Sequence, residues 1–224
     1  MKTELLIPFT TRLRDRAWLS ERTFQVSLER PSGFRFLPGQ SIRLVNGSVE
    51  RDYSLACAPD SALLTLCVRR VPHGVLSAFL AEAPLDAPLA FTGPHGYFLF
   101  QESPLPPVFV ATGAGVAPFF SMAAAGVKGF TLLHGARTAK ELYYETPLRA
   151  ASARYVPCLS EGRAAGSFAG RVSDWAREHL PSRQYDFYLC GSRDMIRRRS
   201  AVAAMLFSES RLLDREFLDT RGKW

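Results

Sequence analysis

Over roughly the first hundred residues, apolar and polar positions alternate in short runs. TFQVSLERP (23–31), SIRLVNGS (41–48), YSLACAPD (53–60) and LLTLCVRRV (63–71) are rich in β-branched and aromatic residues. The turn signals PSG, PGQ, NGS and APDS separate them at the spacing of a sandwich or barrel. One stretch breaks the alternation: in HGVLSAFLAEAP (73–84) apolar residues recur at helical spacing from Val75 to Leu80. From Pro106 the pattern changes. PVFVATGAG, GFTLLHGAR, RYVPCLS and YDFYLCGS are compact apolar runs, and VAPFFSMAAAGV, AKELYYETPLRAAS, GRVSDWAREHL and DMIRRRSAVAAMLFSES between or after them have helical periodicity. RLLDREFL closes the series. Strands alternating with helices predict βαβ units on a parallel sheet. The polar, proline-rich QESPLPP (101–107) is the expected seam, dividing the chain into 1–102 and 103–224.

Composition narrows the classes. Of the 224 residues 47% are hydrophobic and 22% charged, enough to bury a real core in two ordinary domains. The longest apolar runs fall short of the ~20 residues that span a bilayer. The start, MKTELLIPFTTRLRDR, has no secretory pattern, so a cytoplasmic protein is expected. The four cysteines, at 57, 67, 158 and 190, form no metal-binding spacing, and no metal site is expected. Charge is uneven, +1 over 1–102 and +6 over 103–224. A basic half suits a polyanion, a phosphorylated cofactor or an acidic protein. No docking motif for nucleic acid accompanies it, and IRRRS (196–200) reads as a solvated helix face.

Three segments carry candidate chemistry. In RDYSLACAPD (51–60) a strand would set Arg51, Tyr53 and Leu55 on one face and Asp52 and Ser54 on the other. Such a face suits either a solvated edge or a bed for a flat ligand with a negative tether. In ATGAGVAP (111–118) a strand runs through a glycine turn into a helix, a geometry that offers backbone amides to an anion. Gly113 and Gly115 would let a pyrophosphate approach, and Pro118 fits a first helical turn. A glycine turn used for packing alone has the same letters. CGSRDM (190–195) is a second glycine-bearing strand end in the same half. In an open parallel sheet, two such ends could flank one dinucleotide at the switch point.

In order along the chain, these motifs resemble the ferredoxin–NADP reductase family of flavoenzymes. RDYS is similar to its RxY[ST] flavin motif and HGVLSAFL to its GxxS pyrophosphate segment. GPHGYF is similar to its GPxGxF turn, ATGAGVAP to its nicotinamide-nucleotide loop and CGSRDM to its CGxxxM strand end. The resemblance implies a six-stranded antiparallel Greek-key β-barrel for FAD, followed by an α/β parallel-sheet domain for NADH or NADPH. It implies that Arg51 pairs with flavin phosphate, Tyr53 lies on the isoalloxazine and Ser54 reaches N5. Gly74, Val75, Leu76 and Ser77 would hold the flavin pyrophosphate. Thr112, Gly113, Gly115 and Pro118 would hold the nicotinamide dinucleotide, with Cys190, Gly191 and Met195 bordering it. Ser54, Tyr53 and Cys190 are the expected catalytic contacts, and Trp224 is a candidate flavin contact.

Two departures matter. Arg137 in HGART and Arg171 in GRV match arginines that NADP-linked members place around the 2′-phosphate, but the position between them is Glu161. A carboxylate repels a phosphate and accepts from ribose hydroxyls, which favours NADH, although Arg163 stands two residues on. Neither the cysteine spacing nor the length of a [2Fe–2S] domain, which many oxygenase-serving members carry fused at one end, is found in these 224 residues, so a separate electron acceptor is expected. The implied reaction is hydride transfer from NAD(P)H to FAD, then single electrons to a separate carrier, either an acidic ferredoxin or flavodoxin or an oxygenase component. A reductase of diffusible flavin, and a flavin- or nucleotide-binding subunit without turnover, are the alternatives.

Overall fold

A computed structural model describes residues 8–192 and 211–217. The chain divides between Leu99 and Phe100 into two compact units. The expected helix over 194–210, Met195 within it, and Trp224 lie outside the described residues.

The first unit is a six-stranded antiparallel sheet: β1 (Phe9–Trp18), β2 (Thr23–Glu29), β3 (Ser41–Asn46), β4 (Val49–Ser54), β5 (Leu63–Arg69) and β6 (Pro88–His95). Its order is β4-β3-β6-β1-β2-β5. A bridge between Leu55, just past β4, and Leu66 of β5 joins the two end strands, so the sheet closes into a barrel. Closure leaves no open edge. The alternating apolar positions meet inside, where Leu13, Phe24, Val26, Leu28, Ile42, Leu44, Leu64, Leu66 and Phe91 are fully buried. α1 (Val75–Glu82) contributes Leu76 and Leu80 to this cluster.

Two barrel strands escape the alternation read from sequence, β1 and β6. β1 carries Arg12, Arg14 and Arg16 among few apolar residues, and a bulge interrupts its register. Leu13 pairs with Leu28 but Asp15 with Ser27, leaving Arg14 as the extra residue. The buried phase therefore passes from Thr11 and Leu13 to a half-buried Arg16. β4 also starts earlier than expected and ends at Ser54 rather than running through 53–60. The chain bends there: Leu55 N–H donates to Gln40 O and Ala56 N–H to Thr65 O, at 3.0 and 2.7 Å.

The second unit is a parallel sheet of β7 (Pro107–Thr112), β8 (Thr131–Ala136), β9 (Arg154–Leu159), β10 (Phe168–Ala169), β11 (Asp186–Ser192) and β12 (Arg211–Phe217). The order β10-β9-β8-β7-β11-β12 places the first strand of the unit in the interior of the sheet. Three strands wind outward on one side of it and two on the other, so the direction reverses between β7 and β11. Helices α2 (Ala117–Ala124), α3 (Glu145–Ala151) and α4 (Val172–His179) connect the strands. Val172, Trp175 and Ala176 of α4 pack on Val108, Val110, Leu133 and Val156. On the other side of the sheet Phe109 stacks on Phe119 and Phe130, at ring distances of 4.7 and 4.4 Å. The segment AKELYYETPLRAAS is not one helix. It splits into a 3₁₀ turn over Ala139–Glu141 and α3, because Tyr144 takes a left-handed conformation (φ 57°).

Candidate functional site

In the first unit β4 and α1 lie side by side, bringing the RDYS strand to the HGVLS helix. Exposure falls along β4: Arg51 is exposed, Tyr53 is half-buried and Ser54 is buried. Tyr53 packs on the cluster containing Leu76 and Leu80, and burial pushes its phenol up to about 12, against the pull of nearby Arg51. Arg51 donates to the Glu50 carbonyl at 2.6 Å. Among the described residues no carboxylate pairs with it, whereas its neighbour Asp52 is taken by Arg43 at 2.8 Å. The bend after Ser54 is what could turn that hydroxyl towards a ligand on the Tyr53 side, since a straight strand would point it away.

At α1 the first intrahelical bond runs from Ala78 N–H to Gly74 O, so the amides of Val75, Leu76 and Ser77 open the helix without an intrahelical acceptor. No side chain caps this end and no acidic residue stands in its first turn. Gly74 is required by space: a Cβ there would stand 2.7 Å from Ser77 Oγ. That hydroxyl accepts from Val71 N–H (3.2 Å) and donates to Gly74 O (3.3 Å), so it braces the turn. Backbone amides rather than the Ser77 hydroxyl are what this end offers a pyrophosphate. An unblocked helix N-terminus, on a helix packed against a strand whose arginine lacks a carboxylate partner, fits a flavin diphosphate.

In the second unit the two glycine-bearing strand ends meet at the switch point. After β7, Gly113–Val116 forms a 3₁₀ turn into α2, with Pro118 buried in the first helical turn. A Cβ on Gly115 would lie 2.6 Å from Gly191 Cα and would collide with the Cys190 carbonyl. Gly115 is therefore glycine because β11 crosses it, and not solely for a ligand. Gly113 differs: its φ of 54° favours glycine, and a Cβ there would meet nothing within 4 Å. Open space beside Gly113 fits a dinucleotide phosphate. Cys190 is fully buried at the end of β11, behind Gly115. Thr112 lies against β8, where a Cβ on Gly135 would come 2.9 Å from Thr112 Cγ2.

Arg137, Glu161 and Arg171 follow the ends of adjacent strands β8, β9 and β10, and all three are exposed. Glu161 N–H donates to Arg137 O at 2.8 Å. The Arg137 guanidinium is already held by Glu141 at 2.7 Å, and Glu141 also accepts from Arg137 N–H. Both carboxylates, Glu141 first, raise the Arg137 pKa. Sequence reading missed Glu141, although its spacing of four from Arg137 was a usable signal. At α4, Asp174 accepts from Arg171 N–H at 3.2 Å.

Residues 11–100 match the family model for the oxidoreductase FAD-binding domain, and residues 109–200 that for the oxidoreductase NAD-binding domain. The chain is 37% identical over 192 residues to ferredoxin–NADP reductase B of Sorangium cellulosum, an alignment covering 78% of each protein. The chain belongs to the ferredoxin–NADP reductase family. Its members' two cofactors, FAD and a nicotinamide dinucleotide, thus go with its two units, and it is an oxidoreductase. The toluate 1,2-dioxygenase electron transfer component of Pseudomonas putida is 30% identical over 194 residues, 80% of this chain and 58% of that longer protein. Among solved family structures, a Neisseria gonorrhoeae ferredoxin NADP+ reductase with bound FAD and NADP superposes with a TM-score of 0.81. It shares 19% identity over 89% of this chain and 92% of its own. The Amycolatopsis cytochrome P450 reductase GcoB gives 0.82 at 26% identity, covering 94% and 70%. No helix among the described residues is long and apolar enough to cross a membrane.

Proposed function

We propose that this family member is an FAD-dependent reductase that takes hydride preferentially from NADH and hands electrons singly to a separate carrier protein, a ferredoxin, flavodoxin or oxygenase component. The observation that carries the flavin reading is the unblocked N-terminus of α1 on a helix packed against β4, the strand of Arg51 and Tyr53. Bound FAD supplies the step between two-electron and one-electron chemistry. The residues do the rest. Arg51 and the Val75–Ser77 amides hold the phosphates, Tyr53 lies on the ring, and Ser54 hydrogen-bonds N5. Because the Tyr53 phenol stays protonated to about pH 12, it offers a neutral surface at any working pH. The Thr112–Gly115 turn receives the dinucleotide phosphates, and Cys190 borders the nicotinamide.

The NADH preference rests on charge around Arg137. A 2′-phosphate arriving there would have to displace Glu141 and face Glu161. Ribose hydroxyls would find two acceptors instead. The names of the relatives, which pass electrons in oxygenase systems or to ferredoxin, support a carrier protein as acceptor. The excess positive charge of the second half suits an acidic one.

The test is anaerobic mixing of the purified, flavin-loaded protein with NADH or NADPH. Bleaching of the flavin absorbance with both, faster with NADH, is expected. No bleaching with either nucleotide overturns the reductase reading, and faster bleaching with NADPH overturns the preference.

A further inference from the structure

Attention falls on the opposite end of α1. This helix has eight residues, too few to be stable alone. Its last internal bond is from Ala83 N–H to Phe79 O. The next carbonyl, Leu80 O, would take the amide of residue 84, but that residue is Pro84 and has no N–H. Arg16 of β1 fills the gap. Its Nη1 donates to Leu80 O and to Ala83 O, each at 3.1 Å, and its Nη2 to Ala83 O at 2.9 Å. The bulge at Arg14 is what brings Arg16 into the half-buried phase of β1 and lets it reach the helix. A cation at a helix C-terminus also opposes the negative end of the dipole.

We infer that Arg16 is a positioning residue for the flavin site: it anchors the C-terminus of α1 to the barrel and so fixes the N-terminal amides that receive the pyrophosphate. This rests on the reading that α1 holds the flavin diphosphate. A planar fork serves two carbonyls at once, which a lysine ammonium does less well. Leu76 and Leu80 pull the helix onto the core by burial, but burial is non-directional and does not set the axial position of the amides. Arg16 supplies that direction.

The experiment uses the flavin-stripped full-length protein titrated with FAD, together with amide hydrogen exchange, for wild type, Arg16→Ala, Arg16→Met and Arg16→Lys. Wild type is expected to bind FAD. In Arg16→Ala and Arg16→Met the FAD dissociation constant should rise about tenfold, the size expected from losing charge-assisted hydrogen bonds to carbonyls. Arg16→Lys should recover part of the loss. Exchange should quicken in the α1 amides and stay unchanged in the barrel strands. Unaltered affinity in the variants overturns the inference, as does exchange that quickens equally throughout the barrel, the mark of a purely structural role. Arg16→Met keeps the aliphatic stem and serves if Arg16→Ala does not fold. Wild type that takes up no FAD sinks the flavin-site reading itself, a result separable from failure of the Arg16 inference.

Discussion

Arg51 and Arg137 have the same side chain and opposite circumstances. Arg51 has no carboxylate partner among the described residues and lies on the strand that α1 packs against, whereas Arg137 is bound by Glu141 with Glu161 next to it. A guanidinium is a good phosphate ligand when its own partners do not compete. Arg51→Ala should therefore raise the FAD dissociation constant roughly ten- to hundredfold, the range for a lost charge-assisted pair. Flavin fluorescence titration would check this, and unchanged affinity would remove Arg51 from the site. For the nucleotide, Glu161→Arg should raise the NADPH-to-NADH ratio of kcat/KM about tenfold, and adding Glu141→Gln should raise it further by releasing Arg137. Each tenfold step corresponds to ~1.4 kcal/mol. Steady-state rates with both nucleotides decide it, and a ratio that does not move with either change would leave the carboxylates without a role in selection.

Among the elements, the switch point between β7 and β11 imposes the tightest constraint. Gly115 faces the backbone of Cys190 and Gly191 across it. Gly115→Ala would force the strand ends apart, because the clashing atoms are main chain and cannot rotate away. A cost of about 1–3 kcal/mol is expected, as for other overpacked sites. Dinucleotide binding should fall with it, while FAD content stays at the wild-type level. Gly113→Ala should cost less space but strain the backbone at φ 54°. Urea unfolding with NADH titration on both variants separates the two effects. If Gly115→Ala were neutral in both, the packing seen at the crossing would not govern the loop.

Across the whole molecule, stability towards acid should depend on a group outside both sites. His134 on β8 is completely buried, and burial pulls its imidazole down to about 3. Its Nδ1 lies 2.9 Å from Tyr155 Oη, and its Nε2 has no partner among the described residues. The folded chain thus keeps His134 neutral, while the unfolded chain protonates it near its ordinary value of 6.5. The unfolded state binds more protons between these limits, so the contribution is present above about pH 6.5 and is lost as pH falls towards 3. Unfolding free energy measured at pH 7, 5.5 and 4 should decline, and His134→Gln should flatten that decline. A variant with the wild-type slope would assign the acid sensitivity to other groups.

Much of this was readable from the letters. Two patterns of periodicity separated an antiparallel from a parallel half, and five short motifs in order pointed to the family, because turn chemistry and apolar period are local properties. Local pattern did not reveal β1 or β6. β1 carries arginines where a strand usually carries apolar residues, and these find carbonyl and carboxylate partners far away in sequence, as Arg16 does on α1 and Arg14 on Glu29 and Asp86. Nor could the sequence tell that Gly115 answers to β11, that Ser77 Oγ braces its own turn, or that Arg137 is already engaged. Each is a question of which distant backbone or charge arrives at a given place. Sequence alone determined the two kinds of sheet and the order of the binding segments. The closing of the barrel at Leu55 and Leu66, the meeting of two strand ends at the switch point and the pairing of each arginine were decided by tertiary structure, since only three-dimensional packing sets contacts between residues far apart in the chain.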